Sequence, residues 1–124
     1  MIVGIGIDIL EIGKLKRIIK FGKNEFLNKV FTENEIDYAK NKKRIENLAT
    51  AFAAKEAVFK CLNLPARFPV CFKEIEILRD KNGRPRARLS GKLVKKFPEK
   101  GFRFFISMAY TKELAVASVF LEKI

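Results

Sequence analysis

The sequence predicts an α+β fold from three features of its order along the chain. An alternating apolar segment opens it, helical periodicities fill the first half, and strand alternation fills most of the second. A βαβ repeat would have interleaved the two kinds of element. The 124 residues suit a single domain, 1–124, which at this size buries roughly two thirds of its unfolded-chain surface. No internal repeat, linker or low-complexity tract divides it.

Residues 1–9 read as the opening strand. Alternation puts Val3, Ile5, Ile7 and Ile9 on one face and Ile2, Gly4, Gly6 and Asp8 on the other. Glycine within a strand marks close approach by a ligand or another backbone, here beside a carboxylate. Asp8-Ile-Leu-Glu11 also has capping-box spacing, so Asp8 reads equally well as a helix cap. Residues 11–30 are helical and basic, with a break expected at Gly22. Thr32-Glu-Asn-Glu35 is a capping box opening a helix to about Lys40. A basic loop at 41–44 precedes the longest expected helix, 46–62.

The two prolines of 63–69 demand a loop. Alternation over 72–79, the turn signal Asp80-Lys-Asn-Gly83 and a returning strand over 84–89 make a hairpin. A short helix over 90–97 stops before Pro98, because the residue preceding proline is driven out of the helical region. Strands over 102–110 and 114–122, joined at Thr111-Lys-Glu113, close the chain.

Composition narrows the chemistry. Lys and Arg number 26 against 14 Asp and Glu, so the formal net charge is +12 and anionic partners are expected. With no histidine, every Ser-His, Cys-His and His-metal mechanism is excluded, and acid–base work falls to Asp, Glu, Lys, Tyr or Cys. Cys61 and Cys71 are too few for a disulfide framework or a zinc site and read as reduced thiols of a cytoplasmic protein. Residues 1–10 lack a basic leader and are interrupted by Asp8, so neither a signal peptide nor a membrane span is expected.

On the 46–62 helix, Leu48, Phe52, Phe59 and Leu62 form one apolar stripe, widened by Ala51 and Val58. Lys55 projects into its middle, either as a stem snorkelling to water or as a functional amine. Glu56 and Lys60 lie one turn apart on its flank. They form either an ordinary surface ion pair or, over a recess left by Ala49, Ala53 and Ala57, an acid and an amine suited to metal and phosphate.

Taken together, Gly4-Ile-Gly-Ile-Asp8-Ile-Leu-Glu11 and Phe52-Ala-Ala-Lys-Glu-Ala-Val-Phe-Lys60 resemble the holo-acyl-carrier-protein synthase family of phosphopantetheinyl transferases. The likeness extends over Phe31-Thr-Glu-Asn-Glu35, the Asp80-Lys-Asn-Gly-Arg-Pro85 hairpin and the strand pair from Ser107 to Glu122, nearly the whole chain. It implies an α+β enzyme, homotrimeric, with coenzyme A bound between neighbouring protomers. Such enzymes move the 4′-phosphopantetheine arm of coenzyme A onto a serine of an acidic acyl carrier protein, release 3′,5′-ADP and serve fatty acid biosynthesis.

By motif position the resemblance implies Asp8 and Glu56 as Mg²⁺ ligands and Lys60 on the transferring phosphate. Lys55 would line the coenzyme site. Arg84, Pro85 and the basic residues Lys42, Lys43 and Arg44 would hold the nucleotide, including its 3′-phosphate. The first basic helix, through Lys14, Arg17 and Lys29, would receive the carrier protein. Mg²⁺ takes one or two protein carboxylates and leaves its other positions to phosphate and water, which two carboxylates satisfy. With no histidine, Glu56, directly or through water, is the preferred base for the serine.

Three departures accompany the likeness. Tyr110 of Ser107-Met-Ala-Tyr110 stands where the family has a coenzyme-contacting histidine, and it can donate a hydrogen bond but not titrate near neutrality. Ala51 replaces a frequent arginine, and Asn63-Leu-Pro65 replaces a glycine-rich turn. They bear on coenzyme affinity and rate more than on reaction type. Two other readings stand beside the transferase. One is a family member that binds coenzyme or carrier protein without turnover. The other is a nucleic-acid module, since Lys100-Gly-Phe-Arg-Phe-Phe105 begins like an RNA-binding aromatic strand; Arg103 and Ser107 break that motif and favour a core role.

Overall fold

The computed structural model describes residues 1–41, 43–69 and 71–124; the side chain of Lys23 is also outside the description. The elements in order are β1 (Ile2–Glu11), α1 (Ile12–Val30), α2 (Glu33–Lys40), α3 (Arg44–Cys61), a 3₁₀ turn (Phe72–Glu74), β2 (Ile75–Arg79), β3 (Pro85–Leu89), α4 (Gly91–Lys96), β4 (Phe102–Tyr110) and β5 (Leu114–Lys123). The expected α+β order is therefore present. β1, β5 and β4 form an antiparallel three-stranded sheet with β5 central, and β2 and β3 form a separate hairpin.

Register explains what each sheet face does. One face carries the rows Gly4–Leu121–Phe104, Gly6–Val119–Ile106 and Asp8–Ala117–Met108. The intervening rows, Ile5–Phe120–Phe105, Ile7–Ser118–Ser107 and Ile9–Val116–Ala109, form the other. α3 packs on the first face, burying Ala53, Ala57, Val58 and Cys61 with Ala117, Val119 and Leu121. A second cluster joins α1, α2 and the start of α3 through Leu15, Leu27, Phe31 and Leu48. There Phe26, Phe31, Phe52 and Phe72 meet edge to face.

Local signals act as their chemistry requires. Thr32 Oγ1 accepts from the Glu35 amide while Glu35 Oε1 accepts from the Thr32 amide, a closed capping box. Asp80 Oδ1 accepts from the amides of Asn82 and Arg84 and sets the hairpin turn, which Gly83 completes at φ +82°. α4 is not capped by Ser90. Instead Glu74 Oε1 accepts from the Lys92 amide at 2.7 Å.

Several expectations are corrected. Asp8 caps no helix, because β1 continues to Glu11 and α1 begins at Ile12. α1 runs unbroken through Gly22 and, at 19 residues, exceeds the 18 of α3. Mid-helix glycine costs about 1 kcal/mol against alanine, which the buried Leu15, Leu27 and Val30 on either side outweigh. The strand expected over 72–79 begins with the 3₁₀ turn. Asn63 follows α3 at φ +52°, taking the left-handed position for which asparagine is the usual substitute for glycine.

Candidate active site

Strand alternation puts Asp8 on the face of β1 that α3 covers, two residues beyond Gly6. A Cβ at Gly4 would collide with the Cys61 carbonyl, and one at Gly6 would collide with that of Ala57. The glycines thus let the α3 backbone seat directly on the strand. The space they clear is filled by protein, and Ala53 and Ala57 are wholly buried against it, so the recess expected over these alanines does not exist.

This seating brings Glu56 beside Asp8 at the open end of the contact. Burial pushes the Glu56 carboxyl above its usual range, the Asp8 charge raises it further, and Lys60 partly offsets both. Lys60 Nζ lies 3.0 Å from Asp8 Oδ1 and donates to the Ile7 carbonyl at 3.1 Å. Its ion pair is therefore across to the strand and not along the helix to Glu56. The Lys60 side chain is half exposed and that of Asp8 largely buried, so two carboxylates and an ammonium meet at a surface point.

Lys55, expected to line a coenzyme site, is fully buried instead. Its ammonium meets Glu35 Oε1 at 2.8 Å and donates to the carbonyls of Phe72 and Ile75 at 2.8 and 2.6 Å, which uses all three protons. Glu35 Oε2 in turn accepts from the Ile77 amide. Burial pushes Glu35 up and Lys55 down, against their mutual attraction. An amine in the middle of an apolar stripe this long cannot snorkel when other elements close over it.

Pro85 and Tyr110 meet at a second place, a recess of about 160 Å³ completed by Asn47, Thr50, Arg79 and Met108. Arg79, which the sequence reading did not single out, stacks 5.1 Å over Tyr38 and donates to the Gly83 carbonyl. No local pattern signals it, because its neighbours come from α2, α3 and β4. Lys43 and Arg44 are exposed at the start of α3, with Lys43 at φ +51°; Lys42 lies outside the described residues. Arg84 is exposed beside Pro85. On α1, Lys14 and Lys29 form surface pairs with Glu11 and Glu25, and Arg17 is exposed. Phe21 (78% exposed) and Ile18 share the helix face of Lys14 and Arg17.

Among the described residues, no three Cys, Asp or Glu side chains converge as a metal cluster. Asp8 and Glu56 are a two-carboxylate donor set, which fits Mg²⁺ completed by phosphate and water. Among the described residues, no helix is long and apolar enough to cross a membrane.

A family model of the 4′-phosphopantetheinyl transferase superfamily matches residues 4–115. A holo-[acyl-carrier-protein] synthase of Clostridium botulinum is 43% identical over all of both chains. The structure of the Neisseria meningitidis synthase superposes with a TM-score of 0.88 at 33% identity, covering 99% of this chain and 100% of that one. The Bacillus anthracis synthase, described in complex with CoA (3′,5′-ADP), gives 0.81 at 34% identity, covering 100% and 99%. The chain belongs to the 4′-phosphopantetheinyl transferase superfamily, within its holo-[acyl-carrier-protein] synthase family. It is an enzyme of that class.

Proposed function

We propose that the chain, a single domain over 1–124, transfers 4′-phosphopantetheine from coenzyme A to a serine of an apo-acyl carrier protein and releases 3′,5′-ADP. The meeting of Asp8, Glu56 and Lys60 at one surface point carries this reading. Asp8 and Glu56 would hold Mg²⁺, which when bound supplies positive charge to the pyrophosphate. Glu56, its carboxyl raised toward the working range of a base, takes the serine proton. The serine oxygen bonds to the β-phosphorus as the bond to the departing 3′,5′-ADP breaks. Lys60, held by Asp8 at 3.0 Å, stabilises charge on the transferring phosphate. Pro85, Tyr110, Arg84, Lys43 and Arg44 would receive the nucleotide.

The net charge of +12 and the Lys14–Arg17–Phe21 face of α1 suit an acidic carrier protein with an apolar contact at its centre. The outward sheet face supports a homotrimer: Ile5, Ile7 and Ile9 are 62–64% exposed, beside Phe105 and Phe120. A nucleotide bound between copies needs that assembly, and sedimentation of Ile7→Glu as a monomer with lost transfer would support it. The unbridged Cys61 and Cys71 suit the reducing cytoplasm, where this step would serve fatty acid synthesis.

The direct test is the intact mass of an apo-acyl carrier protein incubated with this protein, coenzyme A and Mg²⁺. A gain of one phosphopantetheine, prevented by chelator, is expected. Coenzyme binding without a gain would replace transfer by mere binding.

A further inference from the structure

A cavity of about 330 Å³ opens between β3, α4 and β4, at the opposite end of β4 from Tyr110. Its lining reaches Phe104 on β4 and Arg86 on β3, whereas the nucleotide recess takes Met108 and Pro85, so the two lie along the same strands with no residue in common. Its wall is apolar, built from Leu89, Val94, Phe97, Phe102 and Phe104. Phe97 and Phe102 fix one another edge to face at 5.2 Å. β3 pairs with β2 and β4 with β5, so the two strands flank the opening without pairing to each other.

The mouth has the opposite character. Arg86, Arg88 and Arg103 border it together with Glu99 and Ile124. Arg88 is engaged by Glu76 at 2.6 Å, and Arg103 pairs with Glu122 at 3.9 Å. Arg86 is exposed and in no ion pair among the described residues. The surrounding segment, 79–103, holds ten basic residues against two acidic, a formal +8 of the chain's +12.

An apolar cavity with an unpaired guanidinium at its mouth fits a ligand with one apolar chain and one anionic end. We infer that this cavity binds a free single-chain fatty carboxylate, its chain against Val94, Phe97 and Phe102 and its head at Arg86. At about 30 Å³ for each water-sized group, the volume admits roughly ten carbons. An engineered apolar cavity of about 150 Å³ already takes benzene, so this one has room for more. A guanidinium favours a carboxylate through its two parallel donors and rejects a cationic head of equal chain length. The site does not depend on the transferase reading.

Calorimetric titration of the full chain with decanoate below its micellar range tests this. One saturable equivalent is expected, with decyltrimethylammonium and acetate each binding at least tenfold more weakly. Arg86→Glu, at an exposed position, should weaken decanoate at least tenfold at unchanged melting temperature, and Val94→Phe should abolish binding by filling the cavity. Arg17→Glu, on α1, should leave it unaltered. Absence of saturable binding, equal affinity for the cationic amphiphile, or decanoate binding that survives Arg86→Glu would each overturn the assignment. The last two results would mark non-specific adsorption of chains to apolar surface.

Discussion

The Lys60 ammonium lies 3.0 Å from Asp8 Oδ1, although Glu56 precedes it by one helical turn on the same helix flank. Both carboxylates are half-buried, and the strand offers the ammonium a second acceptor, the Ile7 carbonyl at 3.1 Å, beside Asp8. Lys60 thereby pairs with one candidate metal ligand while lowering the carboxyl of the other.

Replacing Lys60 by Gln should lower kcat/KM for transfer by about 10²-fold, the scale of one lost charge-stabilising donor. It also removes the group that lowers the Glu56 carboxyl. The acid limb of the pH–rate profile should therefore move to higher pH. A limb that stays in place would mean that Glu56 does not set it.

Glu56→Gln should reduce transfer by about 10²- to 10⁴-fold, as expected for a lost base. Its stability effect has the opposite sign. A carboxyl raised in the folded state contributes stability below its unfolded value and loses it as pH rises through the folded value. At neutral pH the variant should thus melt no lower than the parent. Melting curves at pH 4 and pH 7 check this: the variant's relative advantage should appear only at the higher pH.

Gly6→Ala puts a methyl against the Ala57 carbonyl, whose carbon would stand 2.8 Å away. Backbone cannot yield as a side-chain tip can, so α3 must lift. A loss of about 1–3 kcal/mol in denaturant unfolding is expected. Transfer should fall further than folding does, because the lift parts Glu56 from Asp8. Gly13→Ala, with open space around it, is the control.

Lys55→Met leaves Glu35 buried without its cation and should cost about 3–5 kcal/mol. Adding Glu35→Leu should recover part of that loss, since two apolar groups need no partner. Unfolding of the three variants forms a double-mutant cycle, and additive losses would show that the pair is not coupled.

What could be read from the sequence were features whose chemistry is complete within a few residues. The Thr32–Glu35 box and the Asp80 turn are of this kind, as is the alternation that separates Ile5 and Ile7 from Gly6 and Asp8. The fate of Lys55 was not legible, because its acceptors lie 20 residues before it and 17 and 20 after. Gly22 misled because local propensity is a weak opponent of packing on both sides. The glycines of β1 announced a close approach but not its partner. Helix and ligand would leave the same trace in a strand.

The contact of β1 with α3 is one of main chain on main chain, at Gly4 with Cys61 and Gly6 with Ala57. Interfaces padded by side chains can breathe as rotamers change, or drift in thickness as one aliphatic residue replaces another. Here there are no rotamers to change. The gap across which Asp8 and Glu56 face each other is a gauge set by atomic radii. It should hold the same width in a warm cell or a cold one, and remain constant while the residues around it are exchanged.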